Sequence, residues 1–264
     1  MTDTSTRFDR RNFLKATGAV GAVALTGTAG CLGGGDDSDM SIVAGTAPGF
    51  PPFEMKDGET LEGFDIDLLE AVVAETEYEL TEWAEFGFDS LSPALQNGKI
   101  DVIAAAMTIN DERDETIDFT DPYYDANQAV LVASDRDFAP GSMNDLEGRT
   151  IGAQKGTTGE SVVESDLIEA GIVAEGDYNS YGNYVLAVED LVNGNVDAVV
   201  LDTPVADSFV AERAVEIAFT KETGEQYGFG VRDGAADLQS ALNDGLATVK
   251  ENGTYDDIVS TWFK

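Results

Sequence analysis

The sequence contains no histidine and a single cysteine, Cys31, among its 264 residues. Without histidine the chain can form neither a Ser-His-Asp nor a Cys-His catalytic group, and one cysteine cannot form an internal disulfide. Zinc sites built from histidine or from several cysteines are excluded for the same reason. The groups left for chemistry are carboxylates, hydroxyls, backbone groups and a few cations, and we expect no cofactor.

Basic residues are also scarce, because 15 lysines and arginines face 51 aspartates and glutamates and give a formal net charge of −36. So few cations cannot form the basic patch that nucleic acid requires, and we expect no nucleic-acid partner. An acidic surface repels itself at low ionic strength, whereas salt at about 1 M shortens the Debye length to about 3 Å. We therefore predict a halophilic protein from a haloarchaeon; an acidic secreted protein without salt adaptation is the alternative.

The first 30 residues have the layout of an export signal. The arginine pair at 10–11 precedes Phe-Leu-Lys and resembles the twin-arginine export motif. An apolar, small-residue run over 16–29 follows, and it is too short to span a membrane as a helix. We therefore predict a twin-arginine signal peptide over 1–30.

Cys31 ends the sequence Thr-Ala-Gly-Cys, which resembles a lipobox although threonine replaces the usual leucine. In a lipobox the cysteine receives the lipid and becomes the mature N-terminus. The stretch 31–40 is rich in glycine and aspartate, which is typical of a flexible tether. We predict a lipid anchor on Cys31 at the extracellular face of the cell membrane; a buried free cysteine is the alternative.

Strands and helices are expected to alternate through the remaining chain. Apolar runs over 41–47 and 100–106 predict buried strands, and 227–231 predicts another. Helical spacing over 65–76 predicts a helix that Asp65 caps. This alternation is typical of parallel sheets and repeats in the second half, so we predict an α/β protein of two similar lobes. The cleft between them would lie outside the carboxyl ends of the strands.

Two candidate binding groups lie in the first half. Phe50 sits in a turn with two prolines, where its ring can stack on a ligand or belong to the core. Arg113 follows the strand predicted over 100–106, and a guanidinium grips a carboxylate through two parallel hydrogen bonds. A surface ion pair of Arg113 with Asp111 or Glu115 is the alternative.

Two further candidates lie in the second half. Residues 155–161 join a strand to a helix, and helix-start amides there suit a small anion, since the glycine-lysine ending of a phosphate loop is absent. The alternative is an ordinary turn capped by Thr157 or Thr158. Asp202 ends a predicted strand and can meet an ammonium, cap the next helix, or do both.

These segments together describe a site for one zwitterion. Arg113 and the helix-start amides would bind its carboxylate. Three groups would face its ammonium, namely Asp202, the carbonyl of Ala106 and the hydroxyl of Thr108. Two aromatic rings, Phe50 and Phe88, would cover its side chain.

The chain resembles the family 3 extracellular solute-binding proteins, the polar amino-acid receptors of ABC importers, over 41–264. The matching stretches are Pro-Phe-Glu at 52–54, Gly-Phe-Asp-Ile-Asp at 63–67, Pro-Ala-Leu-Gln at 93–96, 108–113, Ile-Asp-Phe-Thr-Asp-Pro-Tyr-Tyr at 117–124, Gly-Thr-Thr at 156–158, Asp-Ala-Val at 197–199, Tyr-Gly at 227–228 and Asn-Gly-Thr-Tyr at 252–255. The resemblance implies a two-lobed, periplasmic-binding-protein-like (Venus flytrap) fold of type II. Lobe one is expected at 41–130 and 227–264, and lobe two at 131–226.

The same resemblance implies a function and its residues. We expect a monomer that closes on a free amino acid and delivers it to an ABC transporter permease. The ligand carboxylate is assigned to Arg113, Thr108 and the amide of Thr158, and the ammonium to Asp202, Ala106 and Thr108. The side chain is assigned to Phe50, Phe88, Ala47, Gln154 and Leu201.

Three of those side-chain positions depart from the pattern of known ligand classes. Ala47 stands where glutamine and basic-residue binders use aspartate, and Gln154 and Leu201 stand where glutamine binders use lysine and histidine. The departures disfavour both classes of ligand and favour a neutral or polar one.

Two other functions are compatible with such a fold. A secreted cyclohexadienyl (prephenate or arogenate) dehydratase needs an acid that ejects the leaving group, and Glu160 is the candidate in this sequence. A ligand-sensing module of a signalling receptor would carry a second membrane segment or a cytoplasmic domain, and we identify neither. We therefore expect a binding protein and not an enzyme.

Overall fold

The computed structural model describes residues 40–263. The strands are β1 Ser41–Thr46, β2 Met55–Asp57, β3 Thr60–Glu62, β4 Glu79–Glu85, β5 Val102–Ile103, β6 Ile117–Phe119, β7 Tyr124–Ala133, β8 Ile151–Gln154, β9 Tyr178–Tyr181, β10 Ala198–Asp202, β11 Val215–Tyr227 and β12 Gly230–Arg232. The α-helices are α1 Phe64–Ala74, α2 Leu91–Gln96, α3 Asp111–Asp114, α4 Thr158–Val162, α5 Tyr184–Asn193, α6 Thr203–Glu212, α7 Ala236–Glu251 and α8 Thr254–Trp262. The predicted signal peptide, the lipidated Cys31 and nearly all of the tether lie outside the described residues.

Two mixed five-stranded sheets form the centres of two lobes. The first has the order β4-β1-β5-β12-β6, with β1 parallel to β4 and β5, and with β12 antiparallel to β5 and β6. The second has the order β11-β7-β10-β8-β9, in which β8 is parallel to β9 and β10 and β7 is antiparallel to β10 and β11. The predicted α/β class and two-lobed architecture are confirmed.

The chain passes between the lobes along β7 and β11, which pair with each other in antiparallel fashion. β7 follows β6 of the first sheet, and β12 of the first sheet follows β11. The predicted lobe boundaries at 130/131 and 226/227 fall within these two strands. Because only two strands cross between the lobes, one lobe can rotate against the other through dihedral changes at a few residues, as in a hinge.

Helices cover the sheets, and small residues allow close packing where helices meet. Gly245 of α7 lies against α1, since a Cβ atom at this position would be 2.5 Å from the carbonyl oxygen of Val72.

Among residues 40–263, no helix combines the length and the apolarity that crossing a bilayer requires.

Two local predictions are wrong. The predicted strand over 227–231 is instead the end of β11 followed by β12, two strands that belong to different sheets. Asp65 does not cap α1, which begins at Phe64 after Gly63 and has no side-chain cap. Asp65 is instead buried, and its side chain points to the region where the site forms.

Candidate functional site

Seven of the predicted site residues and Thr157 line one small cavity between the two sheets. The eight lining residues are Phe50, Phe88, Ala106, Thr108, Arg113, Thr157, Thr158 and Asp202. The cavity measures about 10 Å³, close to the space that one water molecule needs. An amino acid therefore enters only after the lobes move apart.

Arg113 reaches across this cavity from the first lobe. The side chain of Asn110 caps α3 by accepting a hydrogen bond from the Arg113 backbone N–H. This bond holds the backbone position from which the Arg113 side chain extends. Nη1 donates to the carbonyl of Thr108 at 2.6 Å, and Nη2 donates to the carbonyl of Gly156 in the second lobe at 2.9 Å. The guanidinium carbon lies 5.3 Å from the centre of the Phe88 ring, a cation–π distance. Burial lowers the pKa of Arg113, and nearby carboxylates oppose that shift.

The surface ion pair that was the alternative for Arg113 is not observed. Within residues 40–263, no salt bridge joins its guanidinium to Asp111, Glu115 or another carboxylate. Two of its five donors are used by the carbonyls of Thr108 and Gly156, and the others remain for the contact that a carboxylate ligand offers.

Ala106 has a strained backbone that an internal carboxylate holds in place. Its φ is +45°, a left-handed conformation that costs a non-glycine residue roughly 1–2 kcal/mol. The Ala106 N–H donates to Oδ2 of Asp65 at 2.7 Å, and the Tyr123 hydroxyl donates to the same oxygen at 2.6 Å. Burial raises the pKa of Asp65 to about 7, against the lowering effect of these two hydrogen bonds. Strain of this kind is frequent at binding sites, where it fixes the direction of a carbonyl.

The turn before α4 forms the second-lobe side of the cavity. Thr157 caps α4, since its hydroxyl accepts from the Glu160 N–H at 3.3 Å, so the capping alternative holds for this residue. The Thr158 hydroxyl donates a hydrogen bond to Oγ1 of Thr108 at 3.1 Å, and this bond connects the two lobes. The N–H of Thr158 belongs to the first turn of α4, whose end attracts anions.

Close approach of the lobes at this turn depends on Gly156. Its φ is +77°, and an added Cβ would lie 3.1 Å from Cβ of Asp89 in the first lobe. The neighbouring Lys155 pairs with the Asp89 carboxylate at 2.8 Å. This pair is solvent-exposed, so it contributes little to stability.

Asp202 faces the cavity from the end of β10 and is only 3% exposed. It occupies the N-cap position of α6, yet its side chain makes no capping hydrogen bond. Its Oδ1 accepts from Nε2 of Gln128 at 3.0 Å and from the Tyr227 hydroxyl at 2.7 Å. Burial and the neighbouring Glu225 raise the pKa of Asp202 to about 7, whereas the Tyr227 hydrogen bond and Arg113 act to lower it.

The aromatic pair is partly core and partly cavity wall. Phe50 is buried and packs 5.7 Å from the ring of Tyr184 and 5.8 Å from that of Phe53, so both interpretations of this residue apply. Phe88 packs in an apolar cluster that also contains Ala47.

Three predicted side-chain contacts do not line the cavity. Ala47 lies in the cluster behind Phe88, and Leu201 lies in the main core. Gln154 is buried at the end of β8, and its Oε1 atom has no hydrogen-bond partner.

Within the described part of the chain, no cluster of acidic residues and cysteine is arranged to hold a metal ion.

Sequence reasoning missed four polar residues that support the site, namely Asp65, Gln128, Glu225 and Tyr227. Gln128 carries a weak signal, because it is the polar residue directly before the apolar run 129–133 of β7. The acids carry no such signal in a chain with 51 of them.

Two mixed α/β lobes that are joined by crossing strands, with a guanidinium and a carboxylate in the cleft, define a periplasmic-binding-protein-like receptor. The sequence profile of the bacterial extracellular solute-binding proteins, family 3, matches residues 42–264. The chain belongs to that family. The profile of the twin-arginine translocation signal matches residues 7–27, in agreement with the predicted route of export.

Named relatives and solved structures agree with this assignment. The probable histidine-binding protein of Campylobacter jejuni is 35% identical over 229 residues, which cover 86% of this chain and 86% of the relative. The ABC transporter arginine-binding protein 1 of Escherichia coli is 35% identical over 236 residues, covering 87% and 93%. An ancestral arginine-binding protein, solved with arginine bound, has a TM-score of 0.78 at 38% identity, covering 85% and 99%.

Proposed function

We propose that the protein captures a free α-amino acid outside the cell and delivers it to the permease of an ABC importer. The observation that carries the proposal is that Arg113 and Asp202, from different lobes, line one cavity. Opposite charges on its two sides suit the carboxylate and the ammonium of one zwitterion. The names of the relatives, which state arginine or histidine binding, support an amino acid as the ligand.

The proposed mechanism is hinge closure around that ligand. Arg113 and the amide of Thr158 bind the carboxylate, and Asp202 and the Ala106 carbonyl bind the ammonium. The Thr108 hydroxyl lies between both poles. A ligand favours the closed state only through contacts that the open state lacks, and contacts from both lobes supply this difference.

The dehydratase alternative has less support in the geometry. Glu160, its candidate acid, does not line the cavity. Its Oε2 accepts from the Gly156 N–H at 2.7 Å, and its Oε1 accepts from the Tyr178 hydroxyl at 2.7 Å. These bonds hold the turn before α4, so we assign Glu160 a positioning role and propose that the protein is not an enzyme.

We further propose that Cys31 carries a lipid that anchors the protein to the outer face of the membrane. We also propose that the protein is a monomer, that its lobes divide at 130/131 and 226/227, and that it comes from a haloarchaeon. The net charge of −36 supports function in concentrated salt. Mass spectrometry of the natively exported protein tests the lipid, since an unmodified cysteine at the mature N-terminus would contradict it.

A thermal-shift screen of the twenty amino acids in concentrated KCl tests the proposed function. A ligand that binds only the folded state raises the melting temperature, by an amount that grows with its concentration over Kd. We expect one or more amino acids to do so with the wild type and none with Arg113→Ala. Arg213→Ala, which removes an exposed arginine, is the matched control and should behave as the wild type. The proposal fails if no amino acid stabilises the wild type.

A further inference from the structure

A second carboxylate, that of Glu225, lies beside Asp202 and has no role in the assignments above. Glu225 is 6% exposed and lies near the end of β11. Its Oε2 accepts from the Thr108 hydroxyl at 2.8 Å. Its Oε1 accepts from Nε2 of Gln128 at 2.9 Å and from the Thr223 hydroxyl at 2.7 Å. The same Gln128 nitrogen also donates to Asp202, so one amide bridges the two carboxylates.

A β-bulge turns Glu225 towards the cleft. The pairing of β11 with β7 shifts register between Lys221 and Glu225. Asn127 of β7 fills the bulge, because its Oδ1 accepts from the N–H groups of Thr223 at 2.9 Å and Gly224 at 3.0 Å. Gly224 has a φ of +65°, which suits glycine. Bulges of this kind re-aim a side chain beside a functional site.

Glu225 also fixes the direction of the Thr108 hydroxyl. The Thr108 hydroxyl has a single proton, and it donates that proton to Oε2 of Glu225. Thr108 then offers only lone pairs to its other neighbours, and Thr158 donates to it. Of the two ligand groups assigned to Thr108, the ammonium, which is a donor, therefore fits its hydroxyl in this arrangement, and the carboxylate does not.

The charges around the cavity do not balance for a neutral zwitterion. Among the described residues, Arg113 is the only cation in the cavity lining. Two carboxylates lie on the ammonium side, because Asp202 lines the cavity there and Glu225 lies behind it, bonded to Thr108 and Gln128. Lys155 is already paired with Asp89. A zwitterion adds no net charge, so above pH 7, where Asp202 with its pKa of about 7 is ionised, the closed site still holds more carboxylates than cations, which is costly.

A third acid behind the site does not remove this excess. Glu54 is fully buried, and neither of its carboxylate oxygens has a hydrogen-bond partner. Burial, together with the charges of Asp65 and Asp202, raises the pKa of Glu54 well above its usual value, which favours its uncharged form. If it did ionise, the excess of negative charge would only grow.

We propose that Glu225, which contacts Thr108 from behind the cavity lining, acts as a positioning carboxylate whose charge makes the cleft prefer amino acids of net positive charge. This inference rests on the proposed capture of an amino acid. A ligand with a guanidinium or ammonium side chain brings the buried charges to balance, since electrostatic interactions extend further in a water-excluded cavity. Glu225 thus replaces, from another position, the aspartate that is missing at Ala47.

Arginine and citrulline are the probes that test the preference, because they share length and shape and differ in the charge of the terminal group. We would measure Kd for both by titration calorimetry at pH 8 in concentrated KCl. For the wild type we expect arginine to bind at least ~10-fold more tightly than citrulline. Glu225→Gln should reduce this ratio to below about 3-fold. The control Glu222→Gln removes the same charge from an exposed position of β11 and should leave the ratio unchanged.

Each outcome decides the inference separately from the function on which it rests. Equal affinities of the wild type for arginine and citrulline would overturn it, and so would a ratio that Glu225→Gln leaves intact. If Glu225→Gln does not fold, the wild-type ratio alone decides. Absence of stabilisation by all twenty amino acids would instead refute amino-acid capture itself.

Discussion

Two buried aspartates, Asp65 and Asp202, have closely similar surroundings and different tasks. Each accepts a hydrogen bond from a tyrosine hydroxyl, at 2.6 Å from Tyr123 and at 2.7 Å from Tyr227. Burial raises the pKa of both to about 7. Asp65, however, also accepts from a backbone N–H and does not line the cavity, whereas Asp202 does. Burial and a raised pKa therefore mark both residues as constrained, and contact with the cavity separates a ligand group from a scaffold group.

The largest expected difference between Asp65 and Asp202 is in ligand affinity, and substitution of each by asparagine should reveal it. Asp202→Asn keeps an acceptor for Gln128 and Tyr227 but removes the charge that faces the ammonium, so we expect affinity to fall by two to three orders of magnitude. Asp65→Asn should change affinity by less than about tenfold. Calorimetry with the amino acid that gives the largest thermal shift measures both. Equal losses for the two variants would erase the distinction.

Alanine at each position should give the opposite order in stability. Asp65→Ala leaves the Ala106 N–H and the Tyr123 hydroxyl buried without an acceptor, and we expect a loss of about 3 kcal/mol in the free energy of unfolding. Asp202→Ala should cost about 1 kcal/mol, since water from the opened cleft can reach the freed donors. Urea unfolding in concentrated KCl measures the changes. Glu70→Ala, at an exposed position of α1, is the control; a loss no larger than this control would contradict the role of Asp65.

The pH dependences of stability and affinity should run in opposite directions. A folded-state pKa of about 7, raised from 3.8, favours the protonated form in the folded chain. The resulting stability is fully present below about pH 4 and is lost as pH rises through 7. The ammonium of a ligand needs ionised Asp202, so affinity should instead rise roughly tenfold from pH 6 to pH 8. Binding at pH 6 should release protons, which calorimetry in buffers of different ionisation enthalpy detects.

The same comparison explains how much could be predicted from sequence. Arg113 and Asp202 are predictable because Arg113 follows an apolar strand and Asp202 ends one, and strand ends meet at one edge of a sheet. Asp65 precedes an apolar helical pattern, where an acid is most often a cap, so sequence alone could not show that its carboxylate is inside. The left-handed backbone of Ala106 leaves no trace in residue type, because alanine is not a residue that such a conformation selects.

The fold was predictable where burial follows a simple period. The run 198–201 of β10 is apolar because neighbours cover both faces, and the strand that the sequence predicts to end at Asp202 does end there. β11 was missed because it crosses between lobes with few buried residues, so its 13 residues show no continuous apolar pattern. The hinge is thus the part of the molecule that hydrophobicity describes least.

The bulge of β11 makes chain length a determinant of ligand choice. Successive side chains of a strand face opposite sides, so the three residues between Lys221 and Glu225 decide which side receives the carboxylate. Losing one of them would turn Glu225 away from Thr108 while every residue type in the cleft stayed the same. In a family built on this scaffold, a deletion at the hinge could therefore alter which nutrient a cell takes up, and comparison of aligned cleft residues would not reveal the cause.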